Sequence, residues 1–233
     1  MAFVKGGGDI EVVRRGLLML AFGAPTLVAF APGDSRAADL GFDEFLRTAG
    51  EDLARRLPAQ TVADQDAYVL AAAARLRRLT SPPAVQWNDQ YKLDIKPVGQ
   101  TKIFSVTMLR AKPNMVQPPH NHPQYSVATM GLTGEVRVRN FEPVGELPPY
   151  SSKALFQLRQ TREQQLRAGD ISTLSPHHDN FHTFEAGPGG ATWIDVSTPH
   201  ATEGAGDFSY LRLTDPAPAH SGDLLEGRWG LKD

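Results

Sequence analysis

The chain contains no cysteine among its 233 residues. This absence excludes disulfide bonds, a cysteine nucleophile, zinc fingers and iron–sulfur clusters, because each of these needs a thiol or thiolate. The chain also lacks an excess of either charge, since the formal net charge is only −2 at pH 7. A nucleic-acid-binding domain usually carries a marked excess of Lys and Arg. We therefore expect no nucleic-acid partner and no thiolate chemistry from the protein itself.

Proline and glycine punctuate the second half of the chain and point to a β-rich fold. The sequence has 18 prolines and 21 glycines, which end regular elements and form turns. Polar and apolar residues alternate between these turns, which predicts strands with one buried face. The predicted strands include residues 103–109, 127–130, 134–140 and 171–174. The polar segment 142–166 is interpreted as an insertion or lid between the two halves.

Residues 39–84 favour helices instead. Apolar residues recur at helical spacing from Phe42, and the alanine-rich run 65–76 has strong helix propensity. We expect these helices to pack on the outside of the β-fold or on a second subunit. With 41% apolar residues, the chain can bury one full core, and we assign residues 85–233 to one β-domain with a C-terminal tail.

Residues 1–38 have the pattern of a twin-arginine signal peptide. The Arg14 and Arg15 pair precedes an uncharged run and small residues, and cleavage is expected after Ala37 or Ala38. The run is shorter than the roughly 20 apolar residues that a membrane-spanning helix needs. This interpretation implies the twin-arginine translocation machinery as a partner and a periplasmic or secreted location. The alternative is a buried N-terminal helix.

Three histidines have the spacing of a metal site. His120 and His122 lie two residues apart in Pro-Pro-His-Asn-His-Pro, and His182 follows in Asn-Phe-His-Thr-Phe. Residues two apart on a β-strand point to the same face, so the first two imidazoles can meet at one point and a later strand can add the third. Three neutral imidazoles suit one divalent transition metal and leave positions open for chemistry. We predict His120, His122 and His182 as its ligands.

The other histidines are assigned to loops or structural positions. His177 and His178 lie in a turn-like Ser-Pro-His-His-Asp-Asn segment, with His178 the substitute if His182 is not a ligand. His200 either faces the mouth of a cavity or is structural, and the structural interpretation is preferred. His220 is expected in a surface tail.

These motifs resemble the cupin superfamily and, within it, the thiol dioxygenases of the cysteamine dioxygenase and plant cysteine oxidase family. The segment His120-Asn-His-Pro with Gly134 twelve residues after the second histidine matches the family pattern, and Asn180-Phe-His-Thr-Phe resembles its Asn-Leu-His-x-Phe. Trp193-Ile-Asp-Val resembles its later Leu-Asp-Val segment. The resemblance implies a mainly β fold, a single cupin-type barrel (a double-stranded β-helix or jelly roll) with N-terminal helices.

The sequence departs from common cupin patterns at informative places. Many cupins have a glutamate four or five residues after the second histidine, where this chain has Ser126 and Val127. That favours a three-histidine site, as the thiol dioxygenases have. The lack of cysteine excludes the cysteine–tyrosine crosslink of other cysteine dioxygenases, and His200 stands where the family has the tyrosine of Pro-Pro-Tyr.

The resemblance implies Fe(II) as the cofactor, with other divalent transition metals as alternatives because imidazole also suits Zn, Cu and Ni. The implied function is an exported mononuclear non-haem iron dioxygenase that oxidises a small thiol to a sulfinic acid with O₂. The alternative is a non-catalytic metal-binding cupin that acts as a sensor or small-molecule binding module.

Asp195 is a candidate for orienting a ligating imidazole or a substrate amine, or else a strand-end aspartate bonded to backbone. The sequence leaves the oligomeric state open.

Replacing both Arg14 and Arg15 with lysine is expected to leave the protein uncleaved in the cytoplasm, because the twin-arginine route reads the paired arginines. Fractionation and the mass of the N-terminus measure the outcome. Lys5→Arg, which changes a basic residue outside the pair, is the control and should be processed normally. Normal processing of the double variant would show that the segment is not a twin-arginine signal.

Overall fold

A computed structural model describes residues 39–56, 62–200 and 224–230 of the chain. The predicted signal peptide and His220 lie outside these ranges. Among the described residues, no helix is both long and apolar enough to cross a membrane.

Helices come first along the described chain, and strands form most of the rest. The N-terminal part comprises β1 (Leu40–Gly41), α1 (Phe42–Arg56), α2 (Val62–Leu76) and β2 (Leu79–Ser81). The strands that follow are β3 (Leu93–Gln100), β4 (Ser105–Ala111), β5 (Val116–Asn121), β6 (Tyr125–Pro143), β7 (Phe156–Leu166), β8 (Ile171–Leu174), β9 (Phe181–Pro199) and β10 (Leu224–Gly227). The mainly β fold with N-terminal helices is as predicted.

Two long strands, β6 and β9, organise the sheet by pairing antiparallel along most of their length. The first part of β6 also pairs with β8 and its last part with β7, while the last part of β9 pairs with β4 and its first part with β5. Strand β3 extends the sheet beyond β4, and β10 extends it beyond β7. The antiparallel sheet therefore curls over itself as a half-barrel, which confirms the predicted cupin-type fold.

Glycines allow β6 and β9 to bend. The pairing register between the two strands shifts next to Gly131 and Gly134. Gly134 has a φ of 68° and Gly190 a φ of 74°, which is the left-handed region that side chains rarely adopt. A Cβ atom on Gly134 would lie 2.1 Å from the carbonyl oxygen of Gly190. The bend therefore requires glycine at position 134 for both conformational and steric reasons.

The two faces of the sheet have separate cores. The face that carries the three histidines, called the inner face below, includes the apolar cluster of Leu109, Val136, Val138, Phe184 and Trp193. On the outer face, sheet residues such as Val106, Met130 and Ile194 pack against Phe45, Leu53, Tyr68 and Leu76 of the helices. Of the two packing modes expected for the helices, the structure shows packing on the outside of the sheet.

The interpretation of residues 142–166 as an insertion or lid is wrong. Strand β6 continues to Pro143, and β7 pairs with it over residues 158–166. Exposed residues alternate with buried or half-buried ones along β7, and the exposed ones are Gln, Arg, Thr and Glu, which explains the polar composition of the segment. The predicted strands 127–130 and 134–140 are also one continuous strand, because the chain bends at the glycines without leaving the sheet.

Candidate metal centre

The three predicted ligands lie together on the inner face. His120 on β5 stands directly opposite His182 on β9, and His122 follows one residue after the end of β5. All three side chains are buried, with exposed fractions of 2% for His120, 7% for His122 and 3% for His182. Within the described ranges they are the one group of three or more His, Cys, Asp or Glu residues whose ligand atoms converge.

The distances between the ring nitrogens fit a shared metal ion. Nε2 of His182 lies 3.0 Å from Nε2 of His122 and 3.0 Å from Nε2 of His120. Two imidazoles bound at a right angle, each about 2.1 Å from a metal, have nitrogens about 3.0 Å apart. A neutral imidazole nitrogen carries at most one proton, so Nε2 of His182 cannot donate to both neighbours at once. A single cation between the three nitrogens would bind all of them at once.

A backbone carbonyl fixes the tautomer of His120. Its Nδ1 lies 3.0 Å from the carbonyl oxygen of Pro118. Because a carbonyl only accepts hydrogen bonds, Nδ1 must carry the proton, and the Nε2 lone pair faces His182. Hydrogen bonds of this kind orient metal-binding imidazoles and raise their basicity.

Asn180 holds the segment that carries His122 after β5 has ended. Its Oδ1 accepts from the backbone N–H of His122 at 3.0 Å, and its Nδ2 donates to the carbonyl oxygens of His122 at 2.9 Å and Ser175 at 3.0 Å. The side-chain amide thus bonds both backbone groups of His122, as a neighbouring strand would. Asn180 is buried, so these bonds are shielded from water. This role was not predicted, because its only signal in the sequence is an asparagine two residues before a predicted ligand.

Burial favours the neutral form of two of the imidazoles. It lowers the pKa of His122 and of His182 well below the ordinary value, and His120 lowers both further. For His182, the nearby His122 and the Arg162 guanidinium act in the same direction. A metal binds the neutral form of imidazole, so these residues are ready for a metal without releasing protons.

Aromatic rings line one side of the site. The Phe184 ring meets the His182 ring edge-on at a centroid distance of 4.6 Å, and Trp193 stacks on Phe184 at 5.1 Å. Val127 is buried in a separate apolar cluster with Tyr125 and Leu174. At the positions where many cupins supply a carboxylate, this chain therefore places an apolar Val127 and a Ser126 that bonds His200 at 2.6 Å. The described site offers three nitrogens and no carboxylate.

Asp195 is bonded across the sheet to Thr129. The Thr129 hydroxyl donates to Oδ1 of Asp195 at 2.6 Å, and the two residues are directly opposite in β6 and β9. Asp195 lies two positions after Trp193 and so shares the inner face. Burial raises the pKa of Asp195 to about 7, against the opposing effect of the Thr129 hydrogen bond. A role for Asp195 in orienting a ligand or substrate stays a prediction.

The other described histidines are not part of the three-histidine cluster. His178 Nδ1 lies 2.6 Å from Oδ2 of Asp66 on α2, and His177 is exposed in the same loop. The His200 ring meets the Tyr68 ring edge-on at a centroid distance of 5.9 Å. These positions agree with the loop interpretation of His177 and His178 and with the structural interpretation of His200.

A protein family and a curated protein are similar to this chain. The profile of the PCO_ADO family matches residues 60–222, which include all three histidines. The 2-aminoethanethiol dioxygenase of Mus musculus is 26% identical over 139 residues, which are 51% of this chain and 54% of that protein. The chain thus matches about half the length of this curated relative.

Solved structures with a similar arrangement include two bacterial proteins. KdgF from Halomonas sp. is 19% identical, with a TM-score of 0.36 over 50% of this chain and 90% of that chain. An uncharacterized conserved protein with a double-stranded β-helix domain from Klebsiella pneumoniae subsp. pneumoniae is 19% identical, with a TM-score of 0.37 over 50% of this chain and 79% of that chain.

Substituting His122→Ala is expected to abolish stoichiometric metal binding, because it leaves two imidazoles and opens a gap in the cluster. Metal content per chain, measured after anaerobic iron loading and desalting, tests this expectation. His177→Ala removes an exposed histidine of a nearby loop and should retain wild-type metal content. If His122→Ala still bound one metal per chain, the assignment of the three ligands would be incorrect.

The raised pKa of Asp195 makes the free energy of unfolding depend on pH. The pKa of this carboxyl is about 7 in the folded protein, whereas it is about 3.9 in an unfolded chain. Between these values the folded state binds more protons, so the contribution of Asp195 to stability falls as pH rises, by at most about 1.4 kcal/mol per pH unit. Asp195→Asn should remove this loss.

Urea unfolding of the metal-free protein, at pH values from about 4 to 9, measures the effect of Asp195. The stability of Asp195→Asn relative to wild type should increase up to about pH 7 and stay constant above it. Asp39→Asn removes an exposed carboxylate and is the matched control. A stability difference between Asp195→Asn and wild type that does not change with pH would contradict the raised pKa.

Proposed function

Because the chain belongs to the PCO_ADO family, we propose that it is a mononuclear non-haem iron dioxygenase that oxidises a small thiol to a sulfinic acid. The observation that carries the proposal is the convergence of three buried imidazoles without a carboxylate. Burial lowers the pKa of two of them, His122 and His182, which favours the neutral form that binds a metal. A relative named 2-aminoethanethiol dioxygenase supports a thiol as the substrate. The substrates we infer for this chain are a small thiol and O₂.

The donor set favours an anionic substrate. Three neutral nitrogens leave the full +2 charge of Fe(II) uncompensated in an apolar, buried site, where an unpaired charge is costly. A substrate thiolate would offset that charge directly, whereas a carboxylate ligand from the protein would have reduced the attraction. Bound Fe(II) would supply the redox chemistry with O₂ that amino-acid side chains lack.

The overall reaction balances without a further reactant. One thiol and one O₂ give one sulfinic acid, in which both oxygen atoms are bonded to sulfur. Sulfur is oxidised by four electrons and O₂ is reduced by four, so no external reductant is needed. The chain contributes the fixed positions of the imidazoles and the apolar wall of Phe184 and Trp193 that excludes water beside them.

Export is the second element of the proposed function. The Arg14 and Arg15 pair supports transport by the twin-arginine machinery, which carries folded proteins. Folding before transport would let His120, His122 and His182 bind the metal in the cytoplasm. The mature protein would then act in the periplasm or outside the cell.

Oxygen uptake by iron-loaded protein tests the proposed activity. We expect uptake with at least one of cysteamine, cysteine, 3-mercaptopropionate and a peptide that begins with cysteine, and incorporation of both atoms of ¹⁸O₂ into the sulfinate. Ethanolamine, which has a hydroxyl in place of the thiol, is the substrate control, and His182→Ala is the enzyme control. If no thiol consumes oxygen while iron stays bound, the alternative of a sensor or binding module is correct.

A further inference from the structure

Helix α2 contacts the loop that leads into the metal-site strand. This loop, residues 175–180, connects β8 to β9 and ends two residues before His182. The hydroxyl of Ser175 donates to Oδ1 of Asp66 at 2.7 Å, and Nδ1 of His178 lies 2.6 Å from Oδ2 of the same carboxylate. One side chain on the helix therefore holds both ends of a four-residue turn.

The same hydroxyl organises the turn internally. Oγ of Ser175 accepts from the backbone N–H of His178 at 3.1 Å, and the backbone N–H of Ser175 donates to the carbonyl of His178 at 2.9 Å. Ser175 is only 1% exposed, so the turn has little freedom to exchange these bonds for water. Its geometry depends on where Asp66 holds the Ser175 hydroxyl.

The turn is connected to the metal ligands by direct bonds. The carbonyl of Ser175 accepts from Nδ2 of Asn180, whose amide also bonds both the N–H and the carbonyl of His122. A path of hydrogen bonds thus runs from Asp66 through Ser175 and Asn180 to His122. Displacing the turn would move Asn180, and with it the backbone that carries one ligand and the start of the strand that carries another.

Helix α2 is itself fixed against the sheet. The hydroxyl of Thr198 on β9 donates to the Tyr68 hydroxyl at 3.1 Å, in a buried contact. Tyr68 and Leu76 also belong to the outer-face core. The helix that carries Asp66 is therefore a rigid support, which a carboxylate needs in order to position a loop.

We propose that Asp66 is a positioning residue for the metal centre, which holds the 175–180 loop so that Asn180 keeps His122 in register with His120 and His182. This inference rests on the metal site of the proposed function. It assigns to helix α2 a role in metal affinity that its distance in sequence from the histidines does not indicate.

Two measurements test this role, and one of them needs no metal. In metal-free protein, Asp66→Ala should speed exchange of the His122 amide hydrogen by roughly two- to tenfold, the factor for one weakened hydrogen bond. In iron-loaded protein, Asp66→Ala should weaken metal binding by roughly tenfold, as substitutions of other residues that orient metal ligands do. Competition with a chelator measures this affinity. Thermal unfolding of each metal-free variant reports any general loss of stability.

The variants separate positioning from general stability. Asp66→Asn can still accept the Ser175 hydroxyl and should restore most of the metal affinity. Ser175→Ala should reproduce the loss, and the double variant with Asp66→Ala should be no worse than either single variant, because both break the same path. Glu51→Ala removes an exposed carboxylate on α1 that pairs with Arg47, and it should change neither measurement.

The outcomes distinguish this inference from the proposed function. Wild-type affinity and wild-type His122 amide exchange in Asp66→Ala would overturn the positioning role alone. Fully additive losses in the double variant would also overturn it, since they would show separate effects. If the wild-type protein bound no metal, the proposed function would fail, and the positioning role would fail as well unless the amide exchange of His122 still depended on Asp66.

Discussion

The pairing of β5 with β9 is the constraint on which the metal centre depends. It places His120 directly opposite His182, and their Nε2 atoms are 3.0 Å apart. Because successive side chains on a strand point to opposite faces, a slip of one residue would turn His182 to the outer face. The bend at Gly134 and Gly190 supports this register, since it allows β9 to pair with β5 at one end and β4 at the other.

Desolvation gives the three imidazoles their chemistry. A buried imidazole resists protonation, and three of them packed together resist it further because a charge on one disfavours a charge on the others. The pKa values of His122 and His182 therefore lie well below the ordinary value, and the buried position of the cluster strengthens electrostatic interactions there. Burial also raises the pKa of Asp195 to about 7, so below that pH this carboxyl is mostly protonated and adds little negative charge to the inner face.

The sequence predicted the parts of the site that have local signals. His120 and His122 were identifiable from their spacing, and the strands around residues 103–109 and 134–140 from their alternation. Strand β7 was missed because its exposed side chains are long and polar, which made an ordinary strand look like an inserted loop. The Asn180 bonds to His122 span 58 positions and the Thr129 bond to Asp195 spans 66. Partners so far apart in sequence have no periodicity to indicate them, and only the fold brings them together.

The chain has no cysteine, and among the described residues the three histidines are not joined by a carboxylate as a fourth ligand. Hydrogen bonds therefore position the ligands. Without a disulfide, the loops around the histidines are held by the carbonyl of Pro118, the amide of Asn180 and the carboxylate of Asp66. The first two groups bond His120 and His122 directly, and the Asp66 carboxylate bonds Ser175 in the loop that precedes His182. These hydrogen bonds therefore fix the backbone around the three ligands. The convergence of the three ring nitrogens is the geometry that a single cation requires.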